Sequence, residues 1–145
     1  MDETYAGGMI TSQQGGLLGR LSLTYLPEGL GQQSDFEFEW GGVAFTQRVW
    51  ESQVDQDVWR VDLQVQVMRG EALADKEALR DFLVRYHEKD DQWLTAPFGD
   101  DGFTGEREIA LLMEPGLAAE VKDPFGRRDR TELERVATGL RLTER

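Results

Sequence analysis

His87 is the only histidine in the chain, and no other side chain type present ordinarily changes charge near neutral pH. There is no cysteine, so disulfides, Cys–His dyads and thiolate metal sites are excluded. With one histidine, a multi-histidine metal site cannot form within one chain. Ser12, Ser22, Ser34 and Ser52 lack the glycine-flanked setting of a nucleophile elbow. A Ser–His–Asp triad would have to use His87, which stands near the C-terminal end of a helical pattern. A cation meeting the helix dipole is the ordinary explanation there.

Carboxylates come in pairs: Asp55 with Asp57, Asp90 with Asp91, Asp100 with Asp101, Glu106 with Glu108. Such pairs can bind calcium or act as acid and base. In a chain with 28 acids, chance produces them, and Gly99-Asp100-Asp101-Gly102 reads as a turn that fails the EF-hand spacing. Gly15-Gly16-Leu17-Leu18-Gly19 has neither the spacing nor the lysine of a phosphate-binding loop. No catalytic site, cofactor or metal is expected from these residues.

The elements that must position any site read mainly as strands. Residues 1–16 are polar and carry two glycine pairs, so a flexible arm is expected before a single domain over 17–145. Leu17 to Leu26 alternates as a first strand, and Pro27 to Gly31 forms a turn. Asp35 to Trp40 sets Phe36, Phe38 and Trp40 against Asp35, Glu37 and Glu39. Val43 to Val49 reads as a third strand, with a polar connection over 53–57. In residues 59–69, Trp59, Val61, Leu63, Val65 and Val67 fall on one face and Arg60, Asp62, Gln64 and Gln66 on the other. That is a half-buried strand with its polar face toward water or a partner. Then the period changes: Leu79, Phe82, Leu83 and Tyr86 form one helix face, so a helix is expected near 75–88 with Asp75 as N-cap. Trp93 to Phe103 reads as an aromatic loop, and 108–114 and 117–122 as strands. Val136, Thr138, Leu140 and Leu142 read as a last strand. The fold class is a β-sandwich or barrel with one flanking α-helix.

The net charge is −12, which argues against a nucleic-acid-binding surface. Residues 1–126 hold 24 acids against 10 bases, whereas 127–145 hold 4 acids against 6 arginines. The C-terminal segment is therefore suited to an acidic neighbour, and Arg127, Arg128 and Arg130 are candidate subunit contacts. Trp40 and Trp59 fit apolar strand faces. Trp50 and Trp93 lie at element ends, where interfaces recruit tryptophan. No apolar run reaches the ~20 residues of a membrane helix, and Met1 to Tyr5 lacks the features of a signal peptide.

The order over residues 50–98 resembles minor tail and distal tail proteins of long-tailed bacteriophages and gene transfer agents. Trp50 leads through an acidic turn to Trp59-Arg60-Val61-Asp62-Leu63, then a helix with Leu79, Phe82 and Leu83, then Trp93 and Ala96-Pro97-Phe98. The match covers about a third of the chain. It departs from those families where Lys89-Asp90-Asp91 stands in place of a glycine after the helix. The resemblance implies a tail-tube-like β-sandwich and a structural virion protein without enzymatic activity. Copies would form a ring, expected to be a hexamer, between adjacent tube and hub proteins, and would assemble in the host cytoplasm. DNA would be passing cargo through an acidic channel, with Glu37, Glu39, Asp55, Asp57 and Asp62 as candidate exposed or lumenal acids. The alternative from the residues is a monomeric β-barrel module binding a small ligand or partner protein. A hydrolase using Asp100 or Glu106 ranks below both.

Overall fold

A computed structural model describes residues 15–90, 92–93 and 96–143. Most of the expected N-terminal arm, residue 91 of the helix-ending segment and part of the aromatic loop lie outside them. The chain is mainly β, a sandwich flanked by helices. In order run β1 (Gly16–Leu18), β2 (Leu21–Leu23), β3 (Gln32–Trp40), β4 (Val43–Asp55), β5 (Val58–Arg69), α1 (Lys76–Tyr86), β6 (Ala96–Phe98), β7 (Gly102–Thr104), β8 (Glu108–Glu114), β9 (Leu117–Lys122), α2 (Arg130–Thr138) and β10 (Leu140–Leu142). A seven-stranded antiparallel sheet has the order β3-β4-β5-β9-β8-β7-β6, and a small one the order β1-β2-β10.

The larger sheet is covered on both faces, because its strands alternate between two apolar sets. Leu63, Val65, Val67, Ile109 and Val121 pack on the small sheet and α2. Phe45, Met68, Ala110 and Ala118 pack on α1 through Leu79, Phe82 and Leu83. Asp75 caps α1 by accepting the Ala78 amide at 2.8 Å. At the other end the chain makes a Schellman turn: Glu88 donates to the Arg85 carbonyl and Lys89 to that of Val84. Glu88 takes φ 55° to do so, a left-handed conformation that glycine adopts without strain.

Several expectations are corrected. The polar face of β5 is largely withdrawn from water: Asp62 and Gln66 are buried, and Arg60 and Gln64 are half-buried. Asp62 is an extra residue: Leu63 pairs with Trp50 and Val61 with Glu51, which is a β-bulge. The bulge shifts the alternation, so Trp59 leaves the face of Leu63 and stands 47% exposed. Trp40 is also partly exposed, at the end of an edge strand. The polar connection over 53–57 is a tight hairpin, with β4 reaching Asp55 and Asp57 turning the chain at φ 59°. The expected first strand is two strands, bent at Gly19, and exposes Leu17 while burying Leu18. The aromatic loop contains the β6–β7 hairpin, turned at Gly99 to Asp101.

The last correction is a second helix. Asp129 accepts the Glu132 amide at 2.8 Å, and Leu133, Val136 and Ala137 are buried. That is an i, i+3, i+4 face, so Val136 and Thr138 belong to α2, and only 140–142 continue as strand.

Two outcomes follow from this packing. Phe82→Ala lowers stability by ~3–5 kcal/mol in urea denaturation, because its ring is wholly buried. Glu88→Gly raises stability by ~0.5–1 kcal/mol, since relieved left-handed strain exceeds the added chain entropy of glycine. A fall in the denaturation midpoint would refute the second.

Candidate functional site: an open sheet border and a projecting hairpin

Glu120 lies in the middle of β9 with no exposure. A buried carboxylate requires partners. His87 Nε2 reaches its two oxygens at 3.0 and 3.1 Å, so that nitrogen carries the donated proton. Gln66 donates to it at 2.8 Å, and Gln47 donates to Gln66 at 2.9 Å. The row Gln47, Gln66, Glu120 is set by register, each being the cross-strand partner of the next. His87 is therefore a clasp that pins the end of α1 to the sheet. Tyr86 and Trp93 close over its ring, with centroids at 4.8 and 5.2 Å. Burial, then the charge of Glu120, raises the Tyr86 pKa above its usual value.

A second polar anchor fixes the edge strand. Arg48, nearly buried, grips Asp35 with two parallel bonds of 2.8 and 2.9 Å and also donates to the Gly15 carbonyl. The Arg48 hydrogen bond chiefly holds the Asp35 carboxyl below its usual pKa of 3.8. A third anchor is the bulge. Asp62 accepts from Ser52 Oγ and from the Gly31 amide at 2.9 Å. Gly31 is needed there, because an added Cβ would stand 2.0 Å from the Glu51 carbonyl oxygen. The second Asp62 oxygen faces Arg60 Nε at 3.7 Å, too long for a hydrogen bond.

These anchors separate the sequence candidates. Asp62 is a structural acid with no exposure, not a lumenal one. Glu37, Glu39, Asp55 and Asp57 are exposed. Trp50 is 3% exposed and packs opposite Leu63, so it has no surface to give a neighbouring subunit. Trp93 is partly buried, with its indole N–H 3.3 Å from Glu108. The backbone amides of Arg127 and Arg128 both donate to buried Asp123. The Arg128 guanidinium donates to the Glu28 carbonyl at 3.1 Å, and that of Arg130 to the Gly105 carbonyl at 3.0 Å. Two of the three arginines thus brace the molecule itself, while Arg127 stays exposed.

Two stretches of the larger sheet remain uncovered. β3 pairs with β4 only as far as Glu51, and β9 meets β5 only from Gln64. Beyond those points the β4–β5 hairpin pairs only with itself, and it exposes Val54, Val58 and Trp59 between acids. Among the described residues the outer border of β3 has no partner, and it exposes Phe36, at 50%, and Trp40. The far border is β6, three residues long with Pro97 at its centre.

Among the described residues, no three of His, Asp or Glu converge in a way that could hold a metal ion. No helix among the described residues is long and apolar enough to cross a membrane. Comparison with protein families, with curated proteins and with solved structures found no match.

Glu120→Ala strands the Gln66 amide and the His87 N–H and lowers stability by ~2–4 kcal/mol. Glu120→Gln, which keeps an acceptor, loses clearly less, and equal losses in denaturant titrations would sink the clasp. Arg48→Met tests the other anchor. Because the folded pKa of Asp35 is depressed, its contribution is complete above about pH 4 and fades as pH falls through the folded value. The stability gap between wild type and Arg48→Met is therefore widest near neutrality and narrows in acid. Its ionic part is modest, Asp35 being half exposed.

Proposed function

We propose that the protein is a structural subunit of a bacteriophage tail, joined to copies of itself in a ring and to adjacent tail proteins. The supporting observation is the β4–β5 hairpin. It runs past the body with Val54, Val58 and Trp59 exposed, and nothing else in the described chain covers them. An apolar-tipped arm of this kind is stabilised by lying on a neighbour. The resemblance over residues 50–98 supplies the particular assembly. In such a ring, Asp55, Asp57, Glu37 and Glu39 would face a channel and repel the phosphates of passing DNA. The work is positional and needs no catalytic step.

A second reading, a monomeric module with a small ligand, draws on an open groove of about 390 Å³. Phe98, Leu111, Met113 and Leu140 line it, with Asp100 and Asp101 at its rim. A thermal shift with a metabolite would favour it.

Native mass spectrometry and electron microscopy of the purified chain decide between the two. The tail reading expects closed rings at high concentration, and Trp59→Asp dissolves them without unfolding the protein. A strict monomer that also fails to bind neighbouring tail proteins would overturn it.

A further inference from the structure

The two borders of the large sheet are built differently. β6 is three residues long and carries Pro97, which has no N–H to donate, so this border resists strand addition. β3 offers nine residues of extended backbone with no proline, glycine, lysine or arginine. Its side chains are also asymmetric. Asp35 is paired with Arg48, but Glu37 and Glu39 stand exposed further along the strand, and on the other face Phe36 and Trp40 are exposed to either side of half-buried Phe38.

A second β3 is a poor occupant. Antiparallel self-pairing centred on Phe36 sets Asp35 against Glu37, and centring it on Glu37 sets that residue against itself. Like charges directly opposite are destabilising. Among the described residues the β6 border of another copy offers three residues, one of them a proline. Residues 1–14 contain two acids and no lysine or arginine.

We propose that the β3 border is a docking site for an extended segment of a different protein. The segment carries lysine or arginine at alternate positions and adds to the sheet as a further strand. Its backbone pairs with β3, its cations meet Glu37 and Glu39, and its intervening apolar side chains cover Phe36 and Trp40. This rests on the assembly reading only in supplying the class of neighbour, and the site can exist without a ring.

The test uses the full chain and a synthetic peptide in which lysine alternates with valine and threonine. Its glutamate counterpart and a proline-interrupted peptide of equal charge serve as controls. The lysine peptide binds at least about tenfold more tightly than either control, and amide exchange slows across residues 32–40. Glu37→Lys with Glu39→Lys reverses the preference toward the glutamate peptide. Asp55→Lys with Asp57→Lys, the same charge change at the hairpin tip, leaves it in place. Equal binding of the proline-interrupted peptide, protection elsewhere, or equal effects of the two double variants would overturn the proposal, showing only attraction to an acidic protein. Imaging without peptide separates the two readings. Peptide binding without rings removes the ring alone, and rings without peptide binding remove the docking site alone.

Discussion

A carboxylate in the middle of a sheet, shut off from water, is the constraint around which this fold is arranged. Glu120 cannot remain charged there without donors, and His87 and Gln66 provide them. Because His87 ends α1, meeting that charge also fixes where the helix lies. Phe82 and Tyr86 then reach Trp40 edge-on, with centroids at 5.5 and 5.2 Å, and the cover stops. β3 is left exposed at every position but Ser34 and Phe38.

The opposite face follows a similar logic with different parts. The small sheet and α2 fill it with leucine, valine and alanine, and Arg48 seals the rim by gripping Asp35 and the Gly15 carbonyl. Asp123 gathers the amides ahead of α2, so the arginine-rich segment is ordered by an acid. In a chain of net charge −12, the bases are thus largely used to hold its own turns and edges.

Strong local patterns were legible in the sequence. Period-two alternation located β3, β4 and β5, short runs bounded by Pro115-Gly116 and Asp123-Pro124-Phe125-Gly126 located β8 and β9, and Asp75 with Leu79, Phe82 and Leu83 located α1. The misses have specific causes. One unpaired residue, Asp62, shifted the phase of β5, and no local signal announces a bulge. Trp50 looked terminal because the continuation of β4 is polar, yet polar residues suit a hairpin arm with no core to face. For α2 the signals were present, in Asp129 with Glu132 and in the spacing of Leu133, Val136 and Ala137, but a short alternation beginning at Val136 competed with them. The Gln47–Gln66–Glu120 row depends on registry between strands 54 residues apart, which periodicity within one strand cannot express. A glutamate between alanine and valine in an otherwise apolar run was the one hint of it.

Pro97 has a further consequence. A molecule receptive along one side and sealed along the other can accept a single visitor but cannot pass the template onward. Stacking by this route ends after one step, so the exposed backbone that would seed fibres in a symmetric sheet remains a one-to-one connector.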